Sequence, residues 1–333
     1  MTIHDVARAA GVSRQTVSNA LKHPERVSPD TLDRVLATID HLGYQPSSSA
    51  QSLRAQRTGA IGIEVHTLGP HTTNETRAPF LETLGVRATE HDFHVVPFGS
   101  SQAEPMLHGY EEMWRRRLVD AFIIAETHHG DPRPAWLERH SIPFASFGRI
   151  WDDPTFTRWV DVDGAAGTRA AVEHCLGRGY TTIAYLGWPS GSVVGDDRRS
   201  GWQNACQDSG GVWGPESACD QNLDAAIVAG LDLVRRLSPK SAVVCASDLL
   251  ALGVHQALLM EGRAPGADIG IVGFDGFETA LVHHITTITQ PITEIADLTL
   301  TLVHDALAGS DRPSTGALLA PVLTPGRSTT PSR

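Results

Sequence analysis

The spacing of apolar residues changes character once along this chain. Up to residue 44 it is helical. Ile3, Val6, Ala7 and Ala10 fall on one face of a first helix, with Thr2 placed to cap it and Asp5 favouring its positive end. Gly11 permits a turn, and Ser13 can cap a second helix whose buried face carries Val17, Ala20 and Leu21. Ser28-Pro29 opens a third, with Leu32, Val35, Leu36 and Ile39 facing inward, ending at Gly43-Tyr44. From residue 60 the apolar residues gather instead into short continuous runs, at 60–65, 94–98, 121–125 and 144–147, then 159–163, 183–187, 242–246 and 269–274. Helical segments separate most of them, at about 79–90, before 116, and at about 165–178, 224–236 and 248–261. Near-continuous strands alternating with helices predict parallel sheets covered on both faces. Two such series predict two doubly wound lobes with a cleft between them, lined by the carboxyl ends of the strands.

The second helix leaves Arg14, Gln15, Ser18 and Asn19 outward near its beginning. A helix that reads DNA needs polar side chains there, because its first residues meet base edges in the major groove. An ordinary helical hairpin with a solvated polar face would show the same pattern over the first twenty residues. The third helix, and the short polar stretch at 46–54 between it and the first apolar strand, narrow the choice towards DNA.

The run resembles the headpiece and hinge of the LacI/GalR family of bacterial transcription regulators. The matching motifs are DVA..AGVS..TVS at 5–18, RVS..T...V at 26–35 and LGY.P....AQ.L at 42–53. Further matches are EH...RGY..IAYLG at 173–187, Arg198 with Gly201-Trp202, SD..ALG at 247–253, IVGFD at 271–275 and TTI.QP at 286–291, so the resemblance covers almost the whole chain. It implies a helix-turn-helix headpiece over 1–45, a hinge over 46–58 and a core over 59–333 similar to a periplasmic sugar-binding protein. Its lobes would comprise about 59–160 with 291–319, and about 161–290 with 320–333. It implies DNA contacts by Ser13, Arg14, Gln15, Thr16, Ser18, Asn19, Lys22, Arg26 and Ser28, and by Ala50, Leu53 and Arg54 of the hinge, with Leu53 as a minor-groove wedge. Ser47 and Ser49 stand where Asn and Val are common in the family, and Asn19 where Arg often follows the serine.

Charge supports that division. The chain carries −11, yet residues 1–60 hold seven Lys/Arg and five Asp/Glu, net +2, leaving −13 on the other 273 residues. A small basic unit touches phosphate while an acidic body limits non-specific binding. With 41% apolar residues and no apolar run near the roughly 20 needed to span a bilayer, the chain reads as soluble. No signal-peptide pattern opens it, so a cytoplasmic protein is expected, with Cys175, Cys206, Cys219 and Cys245 reduced and mostly buried.

In the core, Asp275 follows an apolar strand directly, where a carboxylate can accept two hydroxyl hydrogen bonds from a sugar. A capping Asp at a strand-to-helix turn would occupy the same place. The resemblance pairs it with Arg198 as effector contacts and adds Phe80 as a pocket wall. Trp188 follows a strand's carboxyl end and suits a pyranose face; Trp202, with Trp151 and Trp159, reads either as platform or as packing. Arg149, Ser247 and Asp248 complete the candidates, Ser247 standing where many relatives carry Asn. Catalytic and metal motifs are missing: no HExxH, CxxC or GxSxG occurs. The segment 191–195 lacks the GK[ST] ending of a phosphate loop and reads as a flexible loop, and the tail at 324–333 as frayed.

The sequence thus predicts a repressor, without cofactor, that binds a near-palindromic operator as a homodimer under control of a small polar effector, most simply a sugar. The rival is a sugar-processing enzyme carrying a DNA-binding arm.

Overall fold

A computed structural model describes residues 1–44, 57–65, 76–99, 107–310 and 315–330. The chain forms two compact units, Met1–Gly59 and Ala60–Arg333.

In the first unit, helices α1 (Ile3–Ala10), α2 (Arg14–Lys22) and α3 (Pro29–Leu42) enclose a core of Val6, Ala7, Ala10, Val17, Ala20 and Val35. The Thr2 amide and hydroxyl both donate to Asp5 at 2.9 Å, and Ser13 Oγ accepts the Thr16 N–H at 3.0 Å. Gly11 takes φ 64°, a left-handed turn closed without a Cβ penalty. Arg34 Nε reaches back to the Ala10 carbonyl at 3.0 Å, tying α3 to the end of α1. Leu36 departs from expectation: it is 44% exposed, because Leu32, Val35, Ile39 and Leu42 already complete the buried stripe of α3.

The second unit holds two six-stranded sheets. Strands β1 (Ala60–Val65), β2 (His94–Gly99), β3 (Ala121–Ile124), β4 (Phe144–Phe147), β5 (Trp159–Val162) and β11 (Ala317–Leu319) form the first, ordered β11-β5-β4-β3-β1-β2 and parallel throughout. The second contains β6 (Thr182–Gly187), β7 (Trp213–Ala218), β8 (Ser241–Cys245), β9 (Ile269–Asp275), β10 (Thr286–Thr289) and β12 (Val322–Thr324), ordered β12-β10-β9-β8-β6-β7. Only the edge strand β12 runs antiparallel to its neighbour. The helices are α4 (Arg77–Thr89), α5 (His108–Arg115), α6 (Pro132–Arg139), α7 (Gly164–Gly177), α8 (Val193–Asp208), α9 (Leu223–Arg235), α10 (Asp248–Met260), α11 (Glu278–Val282) and α12 (Ile292–Leu307).

The chain passes between the sheets after Val162, after Thr289 and between Leu319 and Val322. Asp161 and Val162 pair with Leu318 and Leu319, so they belong to the first sheet, not the second.

Two other expectations fail. Residues 193–195 are not loop: Ser192 Oγ accepts the Gly195 N–H at 3.2 Å and starts α8 there. The tail is docked through residue 330. Ser328 and Thr329 are buried, Ser328 Oγ donates to the Ile271 carbonyl at 2.6 Å, and Thr329 Oγ1 lies 2.7 Å from Thr286 Oγ1. All four cysteines are free thiols, three of them buried.

Candidate functional site

On α2, Val17 and Ala20 face inward, which turns the intervening polar residues outward. Arg14, Gln15 and Lys22 are exposed, as are Ser13, Arg26 and Ser28; Thr16, Ser18 and Asn19 are half-buried. Gln15 and Asn19, one turn apart, bond to each other, Gln15 Nε2 donating to Asn19 Oδ1 at 3.0 Å. The pair therefore keeps the Gln15 oxygen as acceptor and the Asn19 amide hydrogens as donors. Arg14 Nη1 lies 3.4 Å from His4 Nε2. Ala50, Leu53 and Arg54 lie outside the described residues, as do Ser47 and Ser49.

In the core, a cleft of about 540 Å³ is lined by segments from both sheets. Glu64 and Val65 end β1, Arg149 follows β4, Asp161 and Val162 end β5, Trp188 follows β6, Gln221 follows β7, Asp275 ends β9 and Gln290 follows β10. This is the crevice at the carboxyl ends that an open parallel sheet offers to ligands.

Its wall carries a buried ionic knot. Arg198 and Asp275 are each 5% exposed, and Arg198 Nη1 meets Asp275 Oδ1 at 3.2 Å while also donating to the Ala246 carbonyl. Gln290 Nε2 donates to the same Asp275 oxygen at 2.6 Å. The guanidinium lies over Phe274, its carbon 3.7 Å from the ring centre, and 5.5 Å from that of Trp188. Asp275 holds φ 122°, a left-handed conformation costly for a residue with Cβ. Asp248 stabilises the turn beyond it, accepting the Gly276 and Phe277 N–H groups at 2.8 and 3.0 Å and the Thr287 hydroxyl at 2.6 Å. Burial, and then the Asp275 charge, push the Asp248 carboxyl up to about 7.

A second cluster spans the cleft. Arg149 Nε bonds Asp161 at 2.8 Å from within the first sheet, and Arg149 Nη2 reaches Asp197 of α8 at 3.2 Å. Its guanidinium also covers the Trp151 ring at 4.2 Å. Burial raises the Asp161 carboxyl despite Arg149. The helix carrying Asp197 and Arg198 sits close to α7 because Gly201 lacks a side chain; a Cβ there would stand 2.2 Å from the Ala165 carbonyl.

Of the core candidates, Phe80, Arg149, Trp188, Arg198 and Asp275 line this cleft, while Trp202, Ser247 and Asp248 do not. Trp202, four residues past Arg198 on α8, is packing: its indole N–H donates to the Ile183 carbonyl at 3.1 Å and its ring stacks on Tyr185. Ser247 caps α10 and bonds Gln221. The sequence reading missed Gln221, Gln290, Asp161 and Asp197 as lining residues. Gln290 was visible in the TTI.QP motif; Gln221 had no signal.

A three-helix unit with an outward polar helix, in one chain with a two-sheet core that holds a ligand-sized cleft, defines a class of ligand-responsive DNA-binding protein. Comparison with known proteins agrees. Residues 2–47 match the bacterial regulatory proteins of the lacI family, and residues 172–329 the periplasmic binding protein-like domain. The HTH-type transcriptional regulator GalS of Salmonella typhimurium is 30% identical over 320 residues, 93% of this chain and 91% of that protein. The lac repressor dimer bound to operator and the anti-inducer ONPF superposes with a TM-score of 0.82 at 25% identity, covering 99% of both chains. A CelR–cellobiose complex does so with a TM-score of 0.71 at 26% identity, covering 98% and 99%. The chain belongs to the LacI family of bacterial transcriptional regulators.

Among the described residues, no helix is long and apolar enough to cross a membrane.

Proposed function

We propose that this regulator is a repressor, acting in the cytoplasm as a homodimer on a near-palindromic operator, and that a sugar bound in the core cleft controls its operator affinity. The carrying observation is the Arg198–Asp275–Gln290 knot on the cleft wall. A carboxylate and a guanidinium side by side offer hydroxyl groups both acceptor and donor, and Gln290 Nε2 also reaches Thr76 at 3.4 Å, just ahead of α4. A ligand there touches elements from both sheets, so it favours one arrangement of the lobes, which is the differential affinity that allostery requires. The lac repressor structure holds operator DNA and the CelR structure holds cellobiose, which supports the same division of labour in this chain.

DNA contacts are assigned to Ser13, Arg14, Gln15, Thr16, Ser18, Asn19, Lys22, Arg26 and Ser28 of the headpiece, 1–45. The hinge, 46–58, adds Ala50, Leu53 and Arg54. Phe80, Arg149, Trp188, Arg198 and Asp275 contact the effector, while Trp202, Ser247 and Asp248 hold the wall behind them. The protein regulates rather than catalyses.

The test is a thermal-shift screen with mono- and disaccharides, followed by operator binding with and without the sugar that shifts most. A raised melting temperature together with altered operator affinity is expected. Turnover of the sugar, or a shift that leaves operator affinity unchanged, overturns the reading.

A further inference from the structure

Residues 61–333 carry −13, yet one corner of the core is strongly basic. Arg115, Arg116 and Arg117 follow one another at the end of α5, and all three are exposed. Only Arg116 has an acidic partner among the described residues, Glu112 one turn back at 2.8 Å. Arginine in the last turn of a helix complements its dipole, which accounts for Arg115. It does not account for Arg117, which lies past the helix. The Arg117 N–H donates to the Trp114 carbonyl at 2.9 Å and the Leu118 N–H to the Met113 carbonyl at 3.0 Å. That closure puts residue 117 in the left-handed region, at φ 52°, where glycine is the usual occupant. An arginine there stands against the local backbone preference.

The topology places this corner. Strands of the first sheet run parallel, so all begin at one edge and end at the other, on the cleft. The arginine turn leads into β3, which lies next to β1. The Asp120 N–H donates to the Ala60 carbonyl at 2.8 Å, and Arg117 is three residues before Asp120, at most about 11 Å along the chain. Ala60 opens β1, where the chain arrives from the DNA-binding unit. The corner therefore lies on the edge opposite the cleft, beside the point of entry. Residues 46–59 join that point to the headpiece, a tether of at most about 50 Å.

We propose that Arg115 and Arg117 form an auxiliary DNA-backbone contact: while the headpieces hold the operator, this corner of the core binds phosphates of the same duplex. Exposed guanidinium groups meeting phosphate oxygens read charge and not base edges, so the contact adds affinity without sequence preference. The inference rests on operator binding by the headpiece.

The test compares wild type with the double variant Arg115→Gln/Arg117→Gln, as full chains. The probes are a duplex carrying the half-site pair recovered by binding-site selection and a random-sequence duplex of equal length. In low salt the variant should bind both duplexes about tenfold more weakly, with the difference vanishing in high salt. Log affinity against log salt should become shallower by about 2–4 for the homodimer, two side chains in each of two copies. The selected consensus and the core melting temperature should stay at wild-type values. Arg115→Lys/Arg117→Lys should restore most of the affinity. Arg117→Gly removes one charge and suits φ 52°, so it should show about half the slope change with core stability equal or higher. A double Gln variant with wild-type affinity and slope overturns the contact. So does a loss confined to the association rate, which is steering at a distance, or a loss on the operator alone. If selection with wild type recovers no half-site pair, the operator reading fails and the inference with it.

Discussion

In the headpiece, the described candidate contacts all lie between Ser13 and Ser28, on or beside one helix, above a core of six buried residues. In the core, the cleft side chains come from segments as far apart as Glu64 and Gln290, gathered by strand order. The first site is local. Its chemistry is set by which face of α2 is buried, and its side chains are exposed or half-buried, none of them fully desolvated. The second is built by topology, and its central groups are desolvated. The same substitution chemistry should therefore act on reading in one unit and on stability in the other.

The largest effect is expected at the knot. Arg198→Leu leaves Asp275 buried beside Gln290 without its cation, and breaking a buried pair on one side costs about 3–5 kcal/mol. All seven tryptophans lie in Ala60–Arg333, so fluorescence-detected urea unfolding reports this unit alone. A core midpoint that fails to move would show that the pair is solvated enough to dispense with a partner.

At the other pole, Asn19→Arg should change reading while barely changing stability. The wild-type pair presents the Gln15 oxygen and the Asn19 amide hydrogens, one acceptor and one donor set, which complement adenine N6 and N7. Arginine at 19 removes the acceptor that holds Gln15 and offers a fork suited to guanine O6 and N7. Binding-site selection should shift from adenine to guanine at one position of each half-site, a discrimination of about 1–3 kcal/mol. An identical selected consensus would mean that this side chain reads no base.

These contrasts also explain what was legible in the sequence. Helical spacing, caps and Gly11 located α1 to α3 because every determinant lies within a few residues of its effect. Asp275 was marked by its place at the end of an apolar strand, but its partner Arg198 emerged only through the family resemblance, since no local pattern joins two residues 77 apart. Strand β7 was missed because Gly214 and Pro215 interrupt it and it is half-exposed at the sheet edge, where proline is tolerated. With β7 went Gln221, which lies just beyond it. Trp202 was ambiguous because a tryptophan near a cleft and one beneath it have the same local spacing; the helical turn separating it from Arg198 decides.

The two units should also respond oppositely to acid. The Asp248 carboxyl, raised to about 7 when folded, keeps its proton between roughly pH 4 and 7 while the unfolded chain has released it. Its contribution to core stability is therefore present at low pH and lost as pH rises through 7; Asp161, also raised, acts with the same sign. Asp5 in the headpiece is lowered by the backbone and hydroxyl of Thr2, so its contribution is present above the ordinary carboxylate range and lost as pH falls below it. Burial lowers His174 and His255, so charging them as pH falls from 7 to 5 costs stability. Against that, the Asp248 proton should contribute a gain of at most about 1.4 kcal/mol per pH unit. Asp248→Asn should flatten that slope. Equal slopes in wild type and variant would remove Asp248 from the account.

The smallest effect concerns Ser13, where the two kinds of role meet in one residue. Its hydroxyl accepts the Thr16 N–H at 3.0 Å and caps α2, and its exposure at the start of that helix makes it a candidate phosphate contact. Ser13→Ala removes the cap and should cost the headpiece about 1 kcal/mol. Operator affinity would fall with it whether or not Ser13 touches DNA. Ser13→Asp keeps a good capping oxygen and favours the positive end of the helix, so headpiece stability should hold. The added negative charge would nevertheless repel a nearby phosphate. Weakened operator binding by a stable Ser13→Asp headpiece, stronger in low salt than in high, places a phosphate beside Ser13. Affinity equal to wild type at both salt concentrations would leave Ser13 as a cap alone, and the local site would begin at Arg14.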